Sequence, residues 1–259
     1  MRIYFINAFT KEDFKGNPAA IILVDGEVQE DWMSQMARQL NQPITTFLMQ
    51  YEEVFRLRWF TPKSEVSLCG HGTLGAAHIL WSEGLWDVSN AIKFETPSGK
   101  LEAKRQNNLI KLTFPLIESR DIETVAEMES ILGEPILSMA LAKDRYIVEL
   151  ESEEQVRQIV PNLHMLKELD ATGVIVTTRN SSNYDFVSRN FAPKIGLNED
   201  FVTGSAHCAL ASYWKKRLHK SEFKAYQASE RGGEILVKVN EDTVELRGEC
   251  KTVIKGFLE

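Results

Sequence analysis

Arg58-Trp59-Phe60-Thr61-Pro62, followed by Cys69-Gly70-His71-Gly72, returns later in the chain as Arg189-Asn190-Phe191-Ala192-Pro193, followed by Thr203-Gly204-Ser205-Ala206. Each copy reads Arg-x-Phe-small-Pro, then an acid (Glu65; Glu199-Asp200), then a glycine that opens a helix. Gly70 follows Pro62 by eight residues and Gly204 follows Pro193 by eleven, so the copies differ by a three-residue insertion. The shared order of strand, proline turn, acid, glycine and small-residue helix predicts an internal duplication. Two halves of roughly 115–135 residues match the ordinary size of a domain. The expected limits are 1–114, joined by a C-terminal strand at about 249–259, and 115–248.

Working outward from the two glycine turns, alternating or short apolar runs predict a strand-rich chain. Strands are expected near 2–8, 19–24, 44–50, 54–60, 91–95, 99–105 and 109–114. The second half adds 136–142, 145–150, 172–178, 184–191, 223–227, 234–239, 243–248 and 251–257. Turn signals such as Pro97-Ser98-Gly99 and Arg231-Gly232-Gly233 favour antiparallel hairpins. Helices are expected at 29–40, 71–83, 122–132, 152–168 in pieces, and 205–218. The segments 72–81 and 206–214 are small or apolar on nearly every side, the mark of a helix buried all round. The expected fold is therefore α+β: two pseudo-symmetric domains, each a strongly curved, barrel-like mixed or antiparallel sheet around a central apolar helix. The glycine-marked N-termini of those helices, facing a shared cleft, would favour a carboxylate or another anion.

Composition narrows the function classes. The chain has 259 residues, 43% hydrophobic and 26% charged, with a formal net charge of −7. That balance argues against a nucleic-acid partner, which calls for a basic surface. The longest apolar run, Ala19 to Val24, is far too short to span a bilayer. Met1-Arg2-Ile3-Tyr4-Phe5-Ile6-Asn7 shows no signal-peptide core, and three widely spaced cysteines suggest no disulfide framework. A cytoplasmic protein with reduced thiols and no membrane partner is expected.

Several residues at the turns are chemical candidates. His71, at a helix start, can donate to a ligand or shuttle a proton, or simply cap. Cys69 is either a thiol activated by the helix end or a small buried residue. Asp200 places a carboxylate beside the second glycine turn, as a functional group or as a cap. His207 either lines the cleft or packs, His78 reads as a core histidine, and His164 and His219 read as surface residues. No cluster has metal-ligand spacing, so no metal is expected. Gly70-His71-Gly72-Thr73-Leu74-Gly75, with Glu95 twenty residues beyond, has the surface form of a dinucleotide fingerprint, but its surroundings lack the βαβ context.

The chain resembles the PhzF-like phenazine-biosynthesis isomerase family, which shares the diaminopimelate epimerase fold. The resemblance rests on Asn7-Ala8-Phe9-Thr10, Gly16-Asn17-Pro18-Ala19-Ala20, Phe60-Thr61-Pro62, Glu65, Cys69-Gly70-His71 and Leu74-Gly75-Ala76-Ala77. It continues through Arg189-Asn190-Phe191-Ala192-Pro193, Gly196, Glu199-Asp200, Val202 to His207, and Gln227-Ala228-Ser229-Glu230-Arg231-Gly232-Gly233. It implies proton transfer on a small carboxylate without metal or coenzyme, and a homodimer. It puts ligand and proton handling at Gly70, His71, Asp200, Gly204 and Ser205. The two helix N-termini, Gly70-His71-Gly72 and Gly204-Ser205-Ala206, are expected to bind the anion, so Gly72 and Ala206 join the expected ligand-contacting set, with Asn17. Asp200, His71 and Cys69 are the expected catalytic residues. The family's catalytic glutamate, in Asn-Leu-Ser-Glu-Thr-Thr-Phe, falls on Ile44 of Asn41-Gln42-Pro43-Ile44-Thr45-Thr46-Phe47, and an isoleucine accepts no proton. Related epimerases place a cysteine at each glycine turn. Here those positions are Cys69 and Thr203, which excludes a two-thiol epimerase. An isomerase acting on a small anionic metabolite is the leading expectation. A binding protein that has lost the chemistry and a nucleotide-dependent oxidoreductase are the alternatives.

Overall fold

Alternating apolar residues fold into strands wherever one face of the run can be buried, and the order of those strands is the same twice over. In the computed structural model, residues 1–51, 54–179 and 181–259 are described. The chain forms two units, Met1–Thr113 with Arg247–Glu259, and Phe114–Leu246. The first unit runs β1 (Arg2–Ala8), β2 (Asn17–Val24), α1 (Glu30–Leu40), β3 (Thr45–Tyr51), β4 (Val54–Phe60), β5 (Glu65–Val66), α2 (Gly70–Ser82), β6 (Ile92–Thr96), β7 (Gly99–Gln106) and β8 (Leu109–Pro115). The second runs β9 (Ser119–Ile122), α3 (Met128–Leu132), β10 (Ser138–Ala142), β11 (Arg145–Glu149), α4 (Glu153–Gln158), α5 (Leu163–Glu168), β12 (Gly173–Thr178), β13 (Phe186–Ala192), β14 (Leu197–Asp200), α6 (Gly204–Leu218), β15 (Glu222–Gln227), β16 (Gly233–Val239) and β17 (Thr243–Gly248). A last strand, β18 (Cys250–Phe257), lies in the first unit.

The pairings repeat term by term. In the first unit β18 pairs antiparallel with β1, β1 antiparallel with β2, β2 parallel with β3, and β3 antiparallel with β4. β4 then pairs antiparallel with β5 and parallel with β6, which pairs antiparallel with β7. In the second unit β9, β10, β11, β12, β13, β14, β15 and β16 take the same places with the same senses. The fold is α+β with two pseudo-symmetric copies, as the duplicated motif led us to expect.

Each copy packs its sheet on an apolar helix. α2 lies against β1, β2, β3 and β18, and buries His71 through Ala77 with Ile79, Leu80 and Trp81. A Cβ on Gly75 would come within 2.9 Å of Ile6 and 3.0 Å of Ile21, so this glycine lets helix and sheet approach. That packing accounts for a glycine of the apparent dinucleotide fingerprint. α6 lies against β9 and β16, and Gly204 and Ala206 through Trp214 are buried. Among the described residues, no helix is long and apolar enough to cross a membrane.

One expected helix is corrected. Over 122–132 only Met128–Leu132 is helical, and Ser119–Ile122 is a strand paired antiparallel with β10. The run carries good helix formers in Glu123, Ala126, Glu127, Met128, Glu129 and Leu132, but at its start Ile122 pairs with Met139 of β10 instead. β5 and β14 were also not expected, because two and four residues carry no readable periodicity.

The duplicated arginine has a clear structural role. Arg58 donates through Nε and Nη2 to the two carboxylate oxygens of Glu65, both at 2.7 Å, and Arg189 donates to Glu199 at 2.7 and 2.8 Å. Each guanidinium also lies over the phenylalanine two residues on, 5.2 Å from Phe60 and 4.9 Å from Phe191. These two-point forks tie β5 to β4 and β14 to β13, and so fix the segment that leads into each glycine turn.

Candidate active site

The first turn of α2 is held by Cys69. Its backbone is extended, its Sγ accepts the Gly72 N–H at 3.4 Å, and its carbonyl accepts the Thr73 hydroxyl at 2.6 Å. Cys69 and His71 are both buried, and Cys69 Sγ lies 3.5 Å from His71 Nδ1. Asn17, the first residue of β2, is fully buried and places Nδ2 3.4 Å from the same ring nitrogen. His71 Nδ1 therefore lies within reach of both the Asn17 amide and the Cys69 sulfur. Cys69, Gly70, His71, Gly72 and Asn17 thus form one cluster. Ile44 is buried just before β3, and its carbonyl accepts the Ala20 N–H at 3.0 Å.

The first turn of α6 is organised by polar side chains. Thr203 donates its hydroxyl to Asp200 Oδ2 at 2.6 Å. Gln227, fully buried at the end of β15, accepts the Thr203 N–H at 2.7 Å and donates to the Asp200 carbonyl at 2.6 Å. Asp200 is half-buried, and Ser229 steadies the same turn by donating to the Phe201 carbonyl at 2.7 Å. Arg145 donates to Ser205 Oγ at 3.2 Å. Asp200, Gly204, Ser205 and Ala206 are therefore gathered around one helix start.

Sequence reasoning missed Arg145, for which the duplication held a signal, and quoted Gln227 only within a family-like segment without giving it a site role. Arg145 opens β11 opposite Ala142, as Asn17 opens β2 opposite Ala8. Ser205 is the second residue of α6, as His71 is of α2. Asn17–His71 and Arg145–Ser205 are thus equivalent contacts in the two copies, with a cation added in the second.

The remaining histidines take structural places. His207 is fully buried with Nδ1 2.8 Å from the Thr203 carbonyl, so it packs under its own helix start. His78 Nε2 lies 2.9 Å from Thr252 Oγ1. Burial pushes both rings down to about 4, with Arg105 adding to the effect at His78. His164 and His219 are exposed. A histidine held neutral in the fold, with a pKa below its unfolded value of 6.5, takes up a proton on unfolding. Stability from these two rings is present above pH ~6.5 and declines as pH falls toward ~4. We expect a loss of about 1–2 kcal/mol per ring between pH 7 and pH 5. Urea unfolding at the two pH values checks this. Replacing His78→Gln should remove part of the drop, and equal midpoints at both pH values would contradict it.

Comparison with known proteins agrees with the fold. Residues 6–256 match the family model described as phenazine biosynthesis-like protein. An uncharacterized isomerase of Halalkalibacterium halodurans is 43% identical over 259 residues, covering 99% of this chain and 97% of that one. A crystal structure of a phenazine biosynthesis protein of the PhzF family from Enterococcus faecalis is 38% identical, with a TM-score of 0.95 over 98% of this chain and 97% of that one. A predicted epimerase from Pseudomonas aeruginosa shares the fold at 21% identity, with a TM-score of 0.77 over 99% of this chain and 98% of that one. With the match running nearly end to end, the chain belongs to the phenazine biosynthesis-like protein family.

Proposed function

We propose that this chain is an isomerase that moves a proton on a small, carboxylate-bearing metabolite, without metal or coenzyme. The observation that carries the reading is the pair of equivalent helix starts, Asn17–His71 at α2 and Arg145–Ser205 at α6. Helix N-termini offer unbonded N–H groups and partial positive charge, and Arg145 adds a full charge at the second. In this reading one ligand engages both turns. Gly70, Gly204 and Ala206 supply backbone, while Asn17 and Ser205 supply side chains; the expected Gly72 does not join them, because its N–H is donated to Cys69 Sγ. Asp200 is the carboxylate that takes the proton, with Thr203 and Gln227 orienting it. His71 is the second proton carrier, and Cys69 is its neighbour in that role.

A second reading is favoured by one residue. Ile44, buried where the family resemblance calls for the glutamate, suits a chain that keeps the binding site with altered or lost chemistry. Both readings require binding. A thermal-shift screen of carboxylate metabolite mixtures, repeated on Arg145→Ala, tests it, because a ligand that binds only the native state raises the melting temperature. Stabilisation that is lost in Arg145→Ala supports the proposal. A ligand that stabilises both proteins equally would place recognition elsewhere.

We also propose a cytoplasmic homodimer. Its support on the surface is β18, where Val253, Ile254 and Phe257 are 48%, 56% and 74% exposed. Light scattering at micromolar concentration should give the dimer mass, and a monomer would overturn it.

A further inference from the structure

The face of β3 and β4 that meets the first turn of α2 carries two buried donors, Thr46 and Trp59. Thr46 and Trp59 stand directly opposite each other in the β3–β4 ladder, so their side chains share that face. Both are fully buried, and among the described residues neither Thr46 Oγ1 nor Trp59 Nε1 has a hydrogen-bond partner. They border one spot: a Cβ on Gly72 would lie 2.6 Å from Thr46 Oγ1 and 3.1 Å from Trp59 Nε1. A hydroxyl donates and accepts, whereas an indole N–H only donates, and buried donors are ordinarily satisfied. The fold does not require this polar pair. In the second copy the equivalent cross-strand position sets Ile175 opposite Asn190.

We infer that Thr46 and Trp59 form a two-donor subsite for one oxygen acceptor behind the first turn of α2. The helix N-terminus beside it adds partial positive charge and so favours an oxygen there. An ordered water and an oxygen of a small anion share this chemistry. The inference stands apart from the catalytic reading, because a water fills the subsite in a chain that catalyses nothing.

Thr46→Val keeps the shape of the side chain and removes its hydroxyl. The Trp59 indole N–H resonance, identified among five tryptophans by its loss in Trp59→Phe, reports directly on an acceptor. If water fills the subsite, Thr46→Val lowers the melting temperature by about 2–4 °C, and the indole resonance is hydrogen-bonded in anion-free buffer. If an anion oxygen fills it, malonate moves the indole resonance, and Thr46→Val weakens that response about tenfold. The inference is overturned if Thr46→Val leaves the melting temperature unchanged or raises it while the indole resonance stays at an unbonded position with and without malonate. An unmade donor is removed at no loss, so that pattern would mean nothing is held.

Discussion

Replacing Arg189→Ala should cost about 3–4 kcal/mol of stability, more than any other single surface-strand change in the second unit. The Arg189 side chain is only 13% exposed and holds the Glu199 carboxylate, itself 21% exposed, by two parallel bonds. Its Nη1 also donates to the Ile159, Arg157 and Val156 carbonyls at 2.8, 3.1 and 3.3 Å, closing the end of α4. The alanine variant leaves a largely buried carboxylate and three carbonyls without their donor, the situation in which breaking an ion pair is most destabilising. Arg189→Lys keeps the charge but not the fork, and should retain roughly half of the stabilisation. Arg58→Ala should cost less, because Arg58 serves Glu65 and the exposed Glu30 and closes no helix end. Urea unfolding of the three variants checks the order. A loss below about 1 kcal/mol in Arg189→Ala would show that water replaces the fork freely.

The second large effect is kinetic. Asp200→Asn should lower proton exchange on a bound ligand by about 10²–10⁴-fold, the usual contribution of a positioned general base. Asparagine still accepts the Thr203 hydroxyl bond, and the Gln227 bond goes to the backbone carbonyl, so the turn is retained. Folding and ligand affinity should therefore change little while the rate falls. Exchange at the wild-type rate in this variant would remove the carboxylate from the mechanism. A parallel fall in affinity would make it a binding group instead.

How far the sequence foretold this structure depends on the range of the interactions involved. Strands such as β1, β4 and β17 could be read because their apolar alternation is local and long enough to count. The two apolar helices could be read because they lack a polar face. β5, β9 and β14 could not, since two to four residues take strand geometry only from their partners. The glycine turns stood out because each occurs twice. Gln227, 24 residues from Thr203, and Arg145, 60 residues from Ser205, reach their turns through strand pairing that leaves no local mark. The arginine motif was visible as a repeat, while its meaning, a fork onto Glu65 or Glu199, needed the β4–β5 and β13–β14 pairings. Gly72 and Gly75 imitate a dinucleotide loop in sequence, and contact with Thr46, Trp59, Ile6 and Ile21 explains them without one.

Proton transfer on a bound carboxylate is best examined by incubating the wild-type chain in deuterated water with a ligand recovered from the thermal screen. Mass spectrometry of the recovered ligand then counts deuterons. We expect one deuteron gained at a carbon of the ligand, at a rate that collapses in Asp200→Asn. A ligand that saturates the protein and returns with no deuterium would contradict the isomerase reading, and would leave a binding protein with Ile44 in place of its base.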